Sequence, residues 1–160
     1  MTAATALFSR DFDSVEVGET FRSRGRTITE SDVVSFATLS GDFHPQHVDA
    51  EWAAGSIFGE RIAHGMLVLS YALGLVPFEP ERVMALRQVR SKFKAPVRLG
   101  DTIRAEGSVE SVKALDERSG LVETSWRVVN QEGAAVALAS VQVIWRRDGA
   151  DTDGSSNGAG

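Results

Sequence analysis

The chain has 160 residues, 42% of them hydrophobic and 24% charged, with a formal net charge of −5 and no cysteine. That length suits one compact domain with a core large enough to need no disulfides. The acidic balance argues against nucleic acid as a partner, and the lack of cysteine excludes thiolate metal sites and a cysteine nucleophile.

Met1 to Phe8 lack the basic start and long apolar stretch of a signal peptide, so a cytoplasmic location is expected. Residues 1–10 read as a flexible N-terminus, 11–147 as one domain, and 148–160 as a disordered tail of small and polar residues. A helix is predicted from Glu30 to Leu39, with Thr29 as N-cap, Glu30 and Asp32 in its first turn, and Gly41 just past its end. Val33, Phe36, Ala37 and Leu39 form its expected apolar face, and a short helix follows over Ala50 to Ala54.

The run from Met66 to Val76 starts after Gly65, stops at Pro77 and leaves almost no polar face, so it is expected to be a helix buried on nearly every side. Extended to Phe78 it would be roughly 20 Å long as a helix, too short for a bilayer core of roughly 30 Å, and no membrane partner is expected. The second half reads as strands. Val89, Ser91, Phe93 and Ala95 alternate with polar residues, and Thr102 to Val112 is a second strand with Gly107 as its expected bulge. Val122, Thr124, Trp126 and Val128 alternate in a third, and Asn130 to Gly133 turn the chain into a fourth, Ala134 to Trp145. Short turns between long strands imply an antiparallel sheet. The fold class is therefore α+β, with the sheet wrapped around the apolar helix.

All three histidines fall in two stretches, Ser40-Gly41-Asp42-Phe43-His44-Pro45-Gln46-His47 and Ala63-His64-Gly65-Met66. Pro45 separates Asp42 from His47 and resists continuous helix, which places both on a turn after the first helix. A carboxylate and a neutral imidazole that share a water make a general acid/base pair. Gly65 starts the buried helix, where unpartnered N–H groups and the positive dipole end would stabilise an oxyanion. Such a set suits chemistry beside a carbonyl.

The stretch from Phe36 to Asp49 resembles the signature of the MaoC-like, (R)-specific enoyl-CoA hydratases of the hotdog fold. The resemblance continues through Phe58 to Leu67 and Phe93 to Thr102, and covers about residues 12 to 146. It implies a single hotdog domain, a curved antiparallel sheet around a long buried helix, assembled as a homodimer or larger homo-oligomer. It also implies reversible hydration of a trans-2-enoyl thioester of coenzyme A, or of acyl carrier protein, to the (R)-3-hydroxyacyl form. No cofactor is expected, since coenzyme A is part of the substrate. The family's catalytic pair falls on Asp42 and His47, and its oxyanion-binding N–H on Gly65. His44, Ser40, His64 and Met66 are the remaining candidate pocket residues.

Two positions depart from the family pattern: His44 stands where asparagine is usual, and Gln46 where an aliphatic residue is common. Arg61, Arg90, Lys92 and Lys94 are candidate contacts for the phosphates of coenzyme A, with Arg87 and Arg98 nearby in sequence. A metal site from His44, His47, His64 and an aspartate competes, but no His-x-x-x-His pair supports it and no metal is expected. A hotdog thioesterase and a non-catalytic acyl-CoA-binding partner subunit are the alternative functions.

Overall fold

The computed structural model describes residues 2–3 and 7–148. The tail expected from residue 149 onward lies outside the described residues, as do residues 1 and 4–6 of the N-terminus. Among the described residues the elements are β1 (Thr2–Ala3), β2 (Thr20–Arg22), β3 (Arg26–Thr27), α1 (Glu30–Ser40), α2 (Pro45–Val48), α3 (Ala50–Ala54), α4 (Gly65–Leu75), β4 (Val83–Phe93), β5 (Thr102–Ala114), β6 (Ser119–Val129) and β7 (Ala135–Arg146). A 3-10 turn, Phe12–Ser14, precedes β2.

The strand order is β1-β2-β5-β6-β7-β4, with β3 also paired to β5. All pairs are antiparallel except β1 with β2. Alternation sends Val122, Thr124, Trp126 and Val128 of β6 inward, where they share one core with Leu67, Val68, Leu69 and Ala72 of α4. The buried Trp126 indole donates to Thr124 Oγ1, which donates in turn to the Val141 carbonyl, so no polar atom of this pair is stranded. The α+β arrangement of helix and antiparallel sheet is as the pattern implied.

Several expectations change. Leu7 and Phe8 are fully buried, with Phe8 packed on Phe21, Phe78 and Trp145, so the domain takes in residues expected to be flexible. The Trp145 indole also donates to the Arg10 carbonyl at 2.9 Å. At the other end, Asp148 pairs with Arg82 and donates its N–H to Asp11 Oδ2, so it belongs to the domain as well. β4 begins at Val83, six residues before the first alternating position, because two register shifts interrupt the alternation. The irregularity in β5 falls between Val109 and Ser111; Gly107 pairs regularly with Trp126. It is small because a Cβ there would lie 2.6 Å from the Phe21 ring.

Leu39 is 84% exposed, leaving Val33 and Ala37 as the buried face of α1. On α4, Met66, Ser70 and Gly74 form an exposed stripe at intervals of four, so this helix is open to solvent on one side.

Candidate active site

Thr29 and Asp32 close a reciprocal capping box at the start of α1, and Gly41, at φ 77°, ends it in the left-handed conformation that glycine adopts freely. The chain then reverses tightly. Ser40 Oγ donates to the Phe36 carbonyl and accepts from the Asp42 N–H. Asp42 Oδ1 accepts from the His44 N–H at 3.2 Å, and His44 Nδ1 accepts from the Gln46 N–H at 3.2 Å, capping α2. Pro45 takes the first helical position, where its missing N–H costs nothing. His47 thus lies in a helical turn and not in an irregular one, because proline starts helices as readily as it breaks them.

Only 4% of His47 is exposed. Its Nδ1 donates to the Ile62 carbonyl at 2.7 Å, and Ile62 N–H donates back to the Gln46 carbonyl, locking α2 to the segment before α4. His64, the N-cap of α4, donates from Nε2 to the Asp42 carbonyl at 2.9 Å. Its ring stacks on His47 with centroids 3.8 Å apart, and Phe36 packs against it as well. His64 Nδ1 is buried without a hydrogen-bond partner among the described residues. Two loops far apart in sequence are therefore held together by one pair of imidazoles.

Asp42, His47 and His64 each offer one ligand-type atom within 4.8 Å of the others. The Gln46 side-chain nitrogen, 3.0 Å from His47 Nε2, sits on the lone pair that a cation would need.

A cleft of about 480 Å³ opens here. Asp42, Gln46, His47, His64, Gly65 and Met66 line it, together with Phe93 to Val97 and Val136. The Phe93 ring lies where a Gly65 side chain would be, 2.8 Å from a Cβ at that position. Any larger residue would have to displace the Phe93 ring, and glycine leaves the first N–H of α4 beside the cleft at the positive end of the helix.

Burial pushes the His47 pKa below its ordinary value of 6.5. The bond to Ile62 and the charge of Asp42 pull it back in part, while His64 and His44 push it further down. Neutral His47 carries its proton on Nδ1, so the Nε2 lone pair is the reactive position. A carboxylate, an imidazole lone pair and a helix N-terminus face one cleft.

The chain belongs to the MaoC-like family.

Residues 13–131 match the model of that family's "MaoC like domain". The chain is 38% identical over 132 residues to an (R)-specific enoyl-CoA hydratase of Aeromonas caviae, an alignment covering 82% of this chain and 95% of that one. The solved (R)-hydratase of Pseudomonas aeruginosa, at 33% identity, superposes with a TM-score of 0.71 over 86% of each chain. Against the protein MaoC of Klebsiella aerogenes the identity is 38% over 114 residues, covering 70% of this chain but only 34% of that longer protein. The fold is the hotdog of the MaoC-like hydratases.

The candidate residues of this MaoC-like domain divide clearly. Asp42, His47, His64, Gly65 and Met66 meet at the cleft, whereas Ser40 and His44 are not among its lining residues. Ser40 serves the turn, and His44 caps α2 and packs edge-on against Trp52. Of the cationic candidates, Lys94 lines the cleft. Arg61 is held in a bidentate pair with Glu30. Arg90 and Lys92 pair in register with Ser140 and Leu138, on the face of the sheet opposite the core. Arg98 is paired with Glu60.

Sequence reasoning missed the walls made by Phe58, Phe93 and Val136, and the contact of Gln46 with His47. The unusual polarity of Gln46 was the one signal for that contact. Among the described residues no helix is long and apolar enough to cross a membrane.

Proposed function

We propose that this MaoC-like domain is a hydro-lyase that interconverts a trans-2-enoyl-CoA, or the corresponding acyl carrier protein thioester, and an (R)-3-hydroxyacyl thioester. The observation that carries the reading is the convergence of Asp42, His47 and the start of α4 on one cleft.

In the dehydration direction, the His47 Nε2 lone pair removes a proton from C2, and the electrons move onto the thioester oxygen, which the Gly65 N–H stabilises. The enolate then expels the C3 hydroxyl, to which Asp42 gives a proton, and water leaves. Transfer of the proton from His47 back to Asp42 resets the pair. Hydration is the reverse, with Asp42 activating the water. Turnover runs through the form of the pair that carries one transferable proton, so the rate falls as pH rises and that proton is lost. General acid–base help of this kind is worth about 10²–10⁴ in rate, and one oxyanion donor adds about 10²–10³.

A second copy of the chain is part of this reading. Among the described residues β4 ends the strand order with one edge unpaired, and Met84, Leu86 and Phe93 are exposed along it beside Arg87, Arg90 and Lys92. An open edge with exposed apolar residues favours pairing with another sheet, which supports a homodimer joined there. Lys94 remains as the phosphate contact of the cleft, and a cytoplasmic setting goes with a coenzyme A substrate.

The test is a panel of trans-2-enoyl-CoA thioesters, followed by loss of the enoyl absorbance, with a parallel assay for free thiol. Hydration without thiol release, abolished by Asp42→Asn and by His47→Ala in folded protein, is the expected result. Wild-type rates in both variants would sink the assignment. Thiol release would instead make the protein a thioesterase, and binding without turnover a non-catalytic subunit.

A further inference from the structure

We propose that Gln46 is a removable cap on His47: its side-chain amide occupies the Nε2 lone pair in the free protein and favours neutral imidazole.

The atoms leave little choice. A carbonyl oxygen only accepts, so the 2.7 Å contact of His47 Nδ1 with the Ile62 carbonyl places a proton on Nδ1. In the neutral ring Nε2 is then an acceptor. The Gln46 side-chain nitrogen, 3.0 Å away, can only donate. Both ring nitrogens are satisfied by one tautomer, and the amide orientation is the one that tautomer requires.

Protonation overturns this arrangement. Imidazolium presents N–H at both nitrogens, and the Gln46 amide would face donor with donor. It must turn its oxygen toward Nε2 or swing into the cleft that it already lines. The backbone need not follow, because the Gln46 carbonyl is held by the Ile62 N–H at 3.1 Å. Other groups facing the ring are the Asp42 carboxylate from the preceding loop, the stacked His64 at the start of α4, and His44 on its own turn. Lys94 lines the same cleft. Among these, Gln46 is the neutral group whose two ends tell the protonation states apart.

The consequence concerns reaction as well as titration. Substrate must displace the cap before Nε2 can reach C2, so Gln46 is a positioning residue that acts through His47. This second step rests on the proposed function; the cap itself does not.

The experiment is a ¹⁵N-detected titration of the His47 ring in the full chain, without substrate, for wild type, Gln46→Met and Gln46→Glu. The chain has three histidines, so the ring signals are few enough to assign. Wild-type His47 is expected as the Nδ1–H tautomer. Gln46→Met keeps the length but removes the donor to the neutral form, and the pKa should rise by about half to one unit. Gln46→Glu supplies an acceptor for imidazolium, and the rise should be larger, about one to two units. The high-pH limb of hydration should move upward in the same order. Coincident titration curves for the three proteins, or a wild-type ring protonated on Nε2 alone, would overturn the cap. Lack of hydration by wild type would count against the proposed function, while the titration would still decide the role of Gln46.

Discussion

The two ends of α1 carry the same side chain in opposite conditions. At the N-terminal end, Asp32 accepts hydrogen bonds from the Thr29 N–H and hydroxyl, from the Tyr71 hydroxyl at 2.7 Å, and from Arg26. Arg26 also lies over the Tyr71 ring, 3.7 Å from its centre. Burial opposes ionisation of Asp32, but the hydrogen bonds from Tyr71, Thr29 and Arg26 outweigh it and hold the pKa at about 2. Beyond the C-terminal end, the exposed carboxylate of Asp42 accepts one hydrogen bond among the described residues, from the His44 N–H, and lines the cleft. A saturated carboxylate ties α1 to α4 and β3. An unsaturated one keeps acceptor sites open toward the cleft, as the proposed reaction requires. The number of donors aimed at each oxygen separates an anchor from a proposed reagent.

Opposite signatures should follow from altering these two residues. The largest effect is expected at the open end: Asp42→Asn should lower hydration by about 10²–10⁴ and leave the melting temperature near that of wild type. Steady-state kinetics and a thermal melt on the same sample check both halves of that statement. Next comes Gly65→Ala, which sets a methyl 2.8 Å from the Phe93 ring at the mouth of the cleft. Overpacking of this kind typically costs about 1–3 kcal/mol, and the displaced ring or helix end should reduce kcat/KM as well. A variant as stable and as active as wild type would show that the Phe93 contact does not constrain the site.

At the saturated end, Asp32→Ala should destabilise the fold by about 1–2 kcal/mol through loss of the cap and its neighbours. For a chain of this size that is a fall of about 2–8 °C in melting temperature. Activity per folded molecule should be unchanged. The sign of the pH dependence is fixed by the lowered pKa. Asp32 stabilises the fold fully above the unfolded value of 3.8, and this contribution disappears as pH falls toward about 2. Denaturant melts of wild type and Asp32→Ala should therefore converge across that interval.

His47 acts at milder acidity. Its pKa is lowered in the folded state, so the unfolded chain takes up that proton first, and stability should decline as pH falls below the unfolded value of 6.5. His47→Ala should flatten that part of the stability profile. The smallest change is expected at Leu39, which shares α1 with Asp32 but is mostly exposed. Leu39→Ser should alter stability by no more than about 0.5 kcal/mol.

Local rules carried the sequence reading well where contacts are local. Thr29, Asp32 and Gly41 bracket α1 through backbone chemistry within a few residues, and strict alternation marks β6 and most of β7. Pairings between distant segments were not legible. Nothing in the Leu7-Phe8 dipeptide announces that Trp145 will stack on it, and Arg61 gives no sign that Glu30, 31 positions earlier, will neutralise it. Strands β1 to β3 are two or three residues long, too short to show alternation. At the site, Asp42, His47, His64, Gly65 and Met66 line the cleft, whereas Ser40 and His44 do not. Ser40 Oγ and His44 Nδ1 are engaged in local capping, which sequence proximity to Asp42 concealed.

The contact between Arg10 and Trp145 spans 135 positions and joins the beginning of the domain to its last strand. On the ribosome Phe21 and Phe78 emerge well before Trp145, so one face of the Phe8 ring must wait until β7 has emerged. The order of synthesis thus makes the last packing of Phe8 a late event. Deleting Leu7 and Phe8 would open that end of the core; these two residues cannot be trimmed like a tag.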